Sequence, residues 1–507
     1  MKNIQSKLIL LLLVVLFSVT ANSQNLKTIT VLHWNDFHSA NVPVVAKKAT
    51  DYNPKDSAEN IGGFAYLAAY VNHYRDENKN IIVLDAGDDF QGAPVSTLTK
   101  GFSQIELNNF IMPDAVALGN HDFDYTADTL FKFLKKAKYD IVDANLSNTQ
   151  THKTYFNPYK IIVKNNIKVA IIGIMTPDLY TLTMPTNLKN VTVDNYIQTT
   201  RNTIKLLKKK EKPNLIIVLT HCGVDRDKIL ADSVPEINLI IGGHSHTPIK
   251  KPEKHNHVLI CQAGSKGRYL GKVDLTVDMK GDSIASFTGE LVSIVDSKYK
   301  PDQAIVNRID ELEKLADKGL NQVIGTLVTT WNAHGEDESN LGDWQCEVMR
   351  SVTNSDIAFQ NSGGIRKGLP AGNITIRDIW EINPFGNSLM KFSVSGDSLK
   401  KMLEYIFVDA GERIQVGGLR IEFDPSKPAG QRIISLTIGG VNCDDKKTYS
   451  ICTNNYVAAQ YKKYFGFSKP FKVIDTGLVD RDIFIEAVKE QKSIDSKIDG
   501  RIKRAKQ

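Results

Sequence analysis

Seven side chains able to ligate a metal ion stand in five short clusters: Asp36-x-His38, Gly87-Asp88, Gly119-Asn120-His121-Asp122, Thr220-His221 and Gly243-His244-Ser245-His246. The seven are Asp36, His38, Asp88, Asn120, His221, His244 and His246. Four clusters follow directly on apolar runs that read as buried strands, at residues 29–32, 81–84, 215–219 and 237–241; the Gly119 cluster follows a shorter run at 115–118. Ligands at the carboxyl ends of neighbouring strands converge on one crevice, where open α/β sheets build their sites. Seven oxygen and nitrogen ligands exceed the needs of one tetrahedral zinc but suit two metals sharing a bridging carboxylate. That is the chemistry of metal-assisted phosphate ester hydrolysis.

Each cluster has its own logic. Asp36 and His38 are two residues apart on a segment expected to be extended, which places both side chains on one face. Asp88 offers two oxygens, enough to hold two cations about 3.5–4 Å apart. Asn120 supplies a neutral oxygen, an unusual ligand, and leaves its neighbour His121 to act on substrate. Gly242-Gly243 before His244 lets backbone approach closely beneath two imidazoles. Singly, D-x-H and Gly-Asp are ordinary loop sequences; their joint order carries the reading. Asp122 reads as structural. His33 and Asp85 read equally as groups orienting the ligands and as caps of strand ends. His73, His152, His255 and His257 lie outside every motif and read as surface residues.

The elements that position these residues occupy a chain of 507 residues, more than one hydrophobic core usually serves. A composition of 42% hydrophobic and 24% charged residues fits a globular protein, and a net charge of +6 without an Arg/aromatic stripe gives no case for nucleic-acid binding. Lys2 and Lys7, an apolar stretch at 8–19 and small residues through Ser23 form a secretory signal peptide, residues 1–23. No second apolar span follows, so the mature protein is expected to be exported, periplasmic or secreted, with no membrane anchor. Five scattered cysteines give no disulfide scaffold. Cys443 and Cys452 stay open between a pair across a hairpin and free thiols, and Cys222 receives no role.

Strands and helices alternate from residue 28 to about 295, with helices expected at 63–77, 126–137 and 195–210 and further strands at 169–174 and 258–261. A β-rich stretch at 272–295 turns at Lys280-Gly281-Asp282. Residues 303–320 carry Ile305, Ile309, Leu312 and Leu315 at helical spacing, suited to a helix joining two domains. A second α/β unit follows, with Asn361-Ser362-Gly363-Gly364 and Asn383-Pro384-Phe385-Gly386-Asn387 as its marked loops.

The set D-x-H, GD, GNH[DE], H and GHxH resembles the calcineurin-like metallophosphoesterase signature, and with the second unit the chain resembles the exported 5'-nucleotidase family over nearly all of its mature length. The resemblance implies an α/β, two-domain protein: a four-layer metallophosphoesterase sandwich at 26–298, a linker helix at 299–322 and a nucleotide-recognition domain at 323–507. It implies that Asp36, His38 and His246 bind one divalent metal, Asn120, His221 and His244 the other, and that Asp88 is shared; zinc, manganese and cobalt all suit these donors. The catalytic dyad falls on His121 and Asp124, with His121 stabilising charge on the phosphoryl and leaving oxygens. Asn361, Gly363, Gly364 and Arg366 match N-x-G-G-x-R, whose Arg reaches substrate phosphate, and Phe385 matches a ring that stacks on the base.

Two departures are visible. No Arg precedes Glu338-Ser339-Asn340-Leu341-Gly342, and the glycine-rich loop of the second stacking ring is replaced by Gln460-Tyr461-Lys462-Lys463-Tyr464-Phe465, where Tyr464 or Phe465 is the candidate ring. The implied activity is release of phosphate from nucleoside monophosphates, with a small phosphate ester as partner and a looser nucleotide preference than relatives show. The alternatives are a 2',3'-cyclic-nucleotide phosphodiesterase/3'-nucleotidase, a UDP-sugar hydrolase and, in another class, a non-catalytic exported binding protein.

Overall fold

The computed structural model describes residues 25–45, 60–317, 319–335, 337–408 and 412–505. The signal peptide expected at 1–23 lies outside them. The chain divides into two compact units, one of residues up to 90, 100–182 and 186–310, the other of 91–99, 183–185 and 311–507.

In the first unit, the apolar runs become strands of two sheets. A five-stranded sheet runs in the order Ser283–Ser293, Tyr269–Asp278, Leu26–Trp34, Ile81–Asp85, Ala115–Val116. Its last three strands are parallel, so their carboxyl ends share one edge. A six-stranded sheet runs Glu253–His255, Val258–Cys261, Leu239–Ile241, Leu215–His221, Ile167–Met175, Tyr159–Lys164, with its four central strands parallel. Near-continuous apolar strands are what two covered faces require. Alternation then sorts them. Val31, Ile82 and Leu84 pack against Ile171, Ile217 and Ile241 between the sheets. Ile172, Val218 and Ile240 face outward onto Ile204, Leu207 and Leu230 of the helices Tyr196–Lys210 and Val224–Ser233. The helix Phe64–Glu77, with Phe64, Leu67, Ala68 and Val71 buried, belongs to the layer over the five-stranded sheet. The result is four layers, helix, sheet, sheet, helix.

The second unit is built on another five-stranded sheet, ordered Ile414–Gly417, Ile357–Asn361, Thr448–Asn454, Ser388–Ser395, Ile474–Val479. The helix Asn340–Thr353 packs on it, started by Ser339, whose hydroxyl accepts the Gly342 N–H at 3.0 Å. A four-stranded sheet brings Ile502–Arg504 in parallel beside Leu419–Phe423. The helix expected at 303–320 runs Gln303–Asp317; Ile305, Ile309 and Leu312 are buried, while Leu315 is exposed and Ala316 takes the inward position. All five cysteines are free thiols, so no Cys443–Cys452 bond forms. Among the described residues, no helix is long and apolar enough to cross a membrane.

Candidate metal centre

Asp36 and His38 leave the end of the Leu26–Trp34 strand on a loop, not on the extended segment expected for them. Both have left-handed backbone, with φ of 50° and 51°. Asp88, His244 and His246 share this conformation at 60°, 79° and 54°. Such conformations cost of order 1–3 kcal/mol each and persist where surrounding structure imposes them, a pattern concentrated at functional sites. Here the sharp turns aim the side chains back over the strand ends.

Two triads result, Asp36 with His38 and His246, and Asp88 with His221 and His244. Asp36 Oδ1 lies 3.2 Å from His246 Nε2, 3.8 Å from His221 Nε2 and 4.0 Å from His38 Nε2. Asp88 Oδ2 lies 3.0 Å from His221 Nε2. Asn120 Oδ1 is 2.8 Å from His244 Nδ1, which brings the seventh expected ligand to the second triad.

The donor set itself tests whether cations fit. His221 Nδ1 donates to the Ala86 carbonyl at 2.7 Å, so in the neutral ring Nε2 bears a lone pair. That lone pair faces two carboxylates, with no hydrogen bond geometry to either. His38 Nε2 and His246 Nε2 converge to 3.0 Å. Lone pairs meeting in this way call for positive charge between them. Burial opposes charge on His221, yet Asp88 and Asp36 outweigh it and push its pKa to about 10; burial, with His221 beside it, lowers His244 to about 4. The residues fit a pair of divalent cations.

Loops touch here because two glycines allow it. A Cβ on Gly119 would lie 2.1 Å from Asp88 Oδ1, and one on Gly87 would lie 2.5 Å from the Gly119 nitrogen. Asp122, the structural member of its motif, accepts backbone N–H groups from Gly119 at 2.8 Å, Asp88 at 3.3 Å, and Asp89 and Phe90 at 3.2 Å each. It locks the loop of Asp88 to the loop of Asn120. His121 donates from Nδ1 to Asp124 Oδ2 at 2.8 Å, and its ring centre is 5.4 Å from that of His38. His121 and Asp124, the pair expected as the dyad, are therefore joined beside the expected ligands.

Two positioning residues escaped the sequence reading. Asn35 donates to Asp36 Oδ2 at 2.6 Å and to the Gly264 carbonyl at 2.7 Å. Gln262 donates to the Gly243 carbonyl at 2.9 Å and accepts from Ser245 Oγ at 2.9 Å and the Thr247 N–H at 2.5 Å, bracing the turn that carries His244 and His246. Their only sequence signal is an amide beside a motif or at a strand end. Of the open pair, Asp85 supports the Asp88 loop by accepting the Gly87 N–H at 3.1 Å. His33 is a core histidine packed on Gly271, its pKa lowered to about 4 by burial.

In the second unit the expected recognition residues divide. Arg366 and Phe385 are half-buried, and Arg366 Nη1 donates to the Gly363 carbonyl at 3.3 Å. Asn361 is buried and accepts from Asn454 Nδ2 at 2.9 Å, so its side chain ties two strands together. Gly363 and Gly364 give room to Glu412 and Asn361 respectively. Tyr464 is not an available stacking ring. It is fully buried in the hydrophobic core, its hydroxyl donating to Glu412 Oε2 at 2.7 Å, and Phe465 is buried beside it.

Two covered sheets with paired metal-ligand triads at their strand ends define a metal-dependent phosphoric ester hydrolase, and residues 29–248 match the calcineurin-like phosphoesterase family. Residues 323–468 match the 5'-nucleotidase C-terminal domain, and the chain belongs to the 5'-nucleotidase family of metallophosphoesterases. It is 29% identical to the trifunctional nucleotide phosphoesterase protein YfkN of Bacillus subtilis over 94% of this chain and 35% of that protein. It is 28% identical to a 5'-nucleotidase-related protein of Glossina morsitans morsitans over 96% of each chain. The 5'-nucleotidase precursor of Thermus thermophilus superposes with a TM-score of 0.85 at 29% identity, covering 95% of this chain and all of that one.

Proposed function

We propose that the protein is an exported 5'-nucleotidase that releases phosphate from nucleoside monophosphates. The observation that supports this most directly is the pair of triads placed beside the His121–Asp124 dyad. Two divalent cations, one held by Asp36, His38 and His246, the other by Asn120, His221 and His244, with Asp88 between them, would polarise the phosphoryl oxygens and provide a nucleophile at neutral pH. His121 acts on the other side of the reaction. With Nδ1 held by Asp124, the imidazolium form of His121 directs its Nε2 proton to the leaving ester oxygen and stabilises the charge gathering there. Zinc, manganese and cobalt are the metals this mixture of imidazole, amide and carboxylate suits.

Arg366 and Phe385 are proposed to hold substrate phosphate and base. With Tyr464 in the core, one ring is left for stacking, which supports a loose nucleotide preference. The test is turnover of a 5'-monophosphate, a 2',3'-cyclic nucleotide, a UDP-sugar and a small aryl phosphate with each metal added in turn. Fastest phosphate release from the 5'-monophosphate supports the proposal; faster turnover of the cyclic nucleotide or UDP-sugar replaces it, and no turnover of any points to a binding protein. Export rests on residues 1–23 and is checked by cell fractionation with and without them.

A further inference from the structure

Three carboxylates of the second unit, Glu338, Asp343 and Asp499, bring ligand-capable oxygens within 4.8 Å of one another. They come from different places in the chain. Glu338 precedes the helix Asn340–Thr353, Asp343 lies in its first turn, and Asp499 leads into the strand Ile502–Arg504.

Each carboxylate is differently committed. Glu338 Oε1 accepts the N–H groups of Asp499 and Gly500, both at 3.1 Å, and Oε2 accepts that of Ile502 at 3.1 Å, leaving a lone pair on Oε2. Asp499 takes Arg501 Nε at 3.0 Å on Oδ1 and Nη2 at 3.2 Å on Oδ2, with Arg420 Nη2 at 3.6 Å, and its side chain reaches solvent. Asp343 is the exception. It is 2% exposed, no N–H or hydroxyl group donates to either carboxylate oxygen, and its side chain meets the carboxyl of Glu338 instead. The guanidinium Nε of Arg501 stands 3.8 Å away, its Nη1 turned to Glu347 Oε1 at 3.0 Å.

A buried carboxylate without a donor is costly, and two such groups side by side cannot both stay charged without something positive between them. Burial and the adjoining Glu338 push Asp343 up to about 8. Arg350 offsets Glu347, so Arg501 and Arg420 face three carboxylates and one negative charge is left over. A proton would join two of the oxygens; the three that converge are what a metal ion engages.

We propose that Glu338, Asp343 and Asp499 form a structural site for a calcium-type divalent cation, which ties the C-terminal segment to the start of the Asn340–Thr353 helix. The chemistry selects the ion. All donors are hard oxygens, without the nitrogen or sulfur that zinc prefers, and the solvent side of Asp499 has room for the waters that complete a six- to eight-fold shell. This site is independent of the phosphohydrolase reading.

The experiment uses the full chain with its catalytic sites first loaded with manganese. Calcium is then titrated, with bound calcium measured by equilibrium dialysis and the unfolding temperature followed in parallel. Wild type is expected to take up one calcium equivalent at about 0.1–1 mM and to gain thermal stability. Asp343→Asn should lose both responses, and Asp499→Asn, changed at the solvent side, should weaken binding at least about tenfold even if Asp343→Asn fails to fold. Asp88→Asn should keep the calcium response, separating this site from the catalytic one. Equal calcium uptake by wild type and Asp499→Asn overturns the proposal. So does a wild type indifferent to calcium whose unfolding temperature falls as pH rises toward about 8 and levels off above it, because a proton then occupies the cluster.

Discussion

The carboxylate of Asp88 accepts the backbone N–H of His121 through Oδ1 at 2.7 Å. The group proposed to bridge two metals and the group proposed to protonate the leaving oxygen are thereby held in one rigid unit. Gly119 makes this possible, since any side chain there would strike Asp88 Oδ1. Asp88→Asn should reduce bound metal and activity together, because it removes the charge shared by both sites. Elemental analysis of the purified variant checks this. Two metals per chain at full turnover would show that Asp88 does not bridge.

His121 should separate from the ligands in its behaviour. His121→Ala is expected to lower kcat by about 10²–10⁴ while leaving metal content unchanged. Asp124→Asn should cost less, since it loosens the Nδ1 hydrogen bond without removing the acid. Loss of metal on changing His121 to Ala would make His121 a ligand and reverse the division within the Asn120-His121 pair.

Much of the first unit was legible because buried parallel strands are uniformly apolar and the expected ligands sit at their ends. The strand expected at 258–261 is found at Val258–Cys261, and the helix expected at 63–77 at Phe64–Glu77. What the sequence concealed is local. A left-handed conformation at Asp36 and His38 has no marker when the residue is not glycine, so the loop read as extended. Tyr464 read as a candidate stacking ring because it stands where the family's second aromatic loop falls, and no local pattern marks the core that receives it. Asn35 ties its neighbour Asp36 to Gly264, 229 positions away, and Gln262 reaches back 19 positions to Gly243; no short motif encodes such pairings.

Gln262 provides a test of how far the metal site depends on its support. Its three hydrogen bonds fix the turn holding His244 and His246, and outer partners of metal ligands typically contribute 10–100-fold in affinity. Gln262→Ala should weaken metal binding by about that range, measured by competition with a chelator, and activity should recover at high metal concentration. Unchanged affinity would mean that the strained turn holds itself.

Phe385 and Tyr464 should respond oppositely to the same substitution. Tyr464 fills the core, so Tyr464→Ala is expected to destabilise the second unit by about 3–5 kcal/mol, in the manner of other large aromatic truncations. Its effect should appear as a lower unfolding temperature. Phe385 is half-buried, and truncating it should cost little stability. If its ring stacks on the base, the loss falls on positioning of the nucleotide, and a poorly positioned ester reacts slowly. Phe385→Ala should therefore depress kcat/KM for a nucleoside monophosphate well below that for a small aryl phosphate, which has no base to stack. Arg366→Ala, by contrast, should weaken both substrates, because both carry the phosphate it is proposed to meet. Parallel losses on nucleotide and aryl phosphate for Phe385→Ala, with a fall in unfolding temperature, would assign that ring to packing and move base recognition elsewhere in the chain.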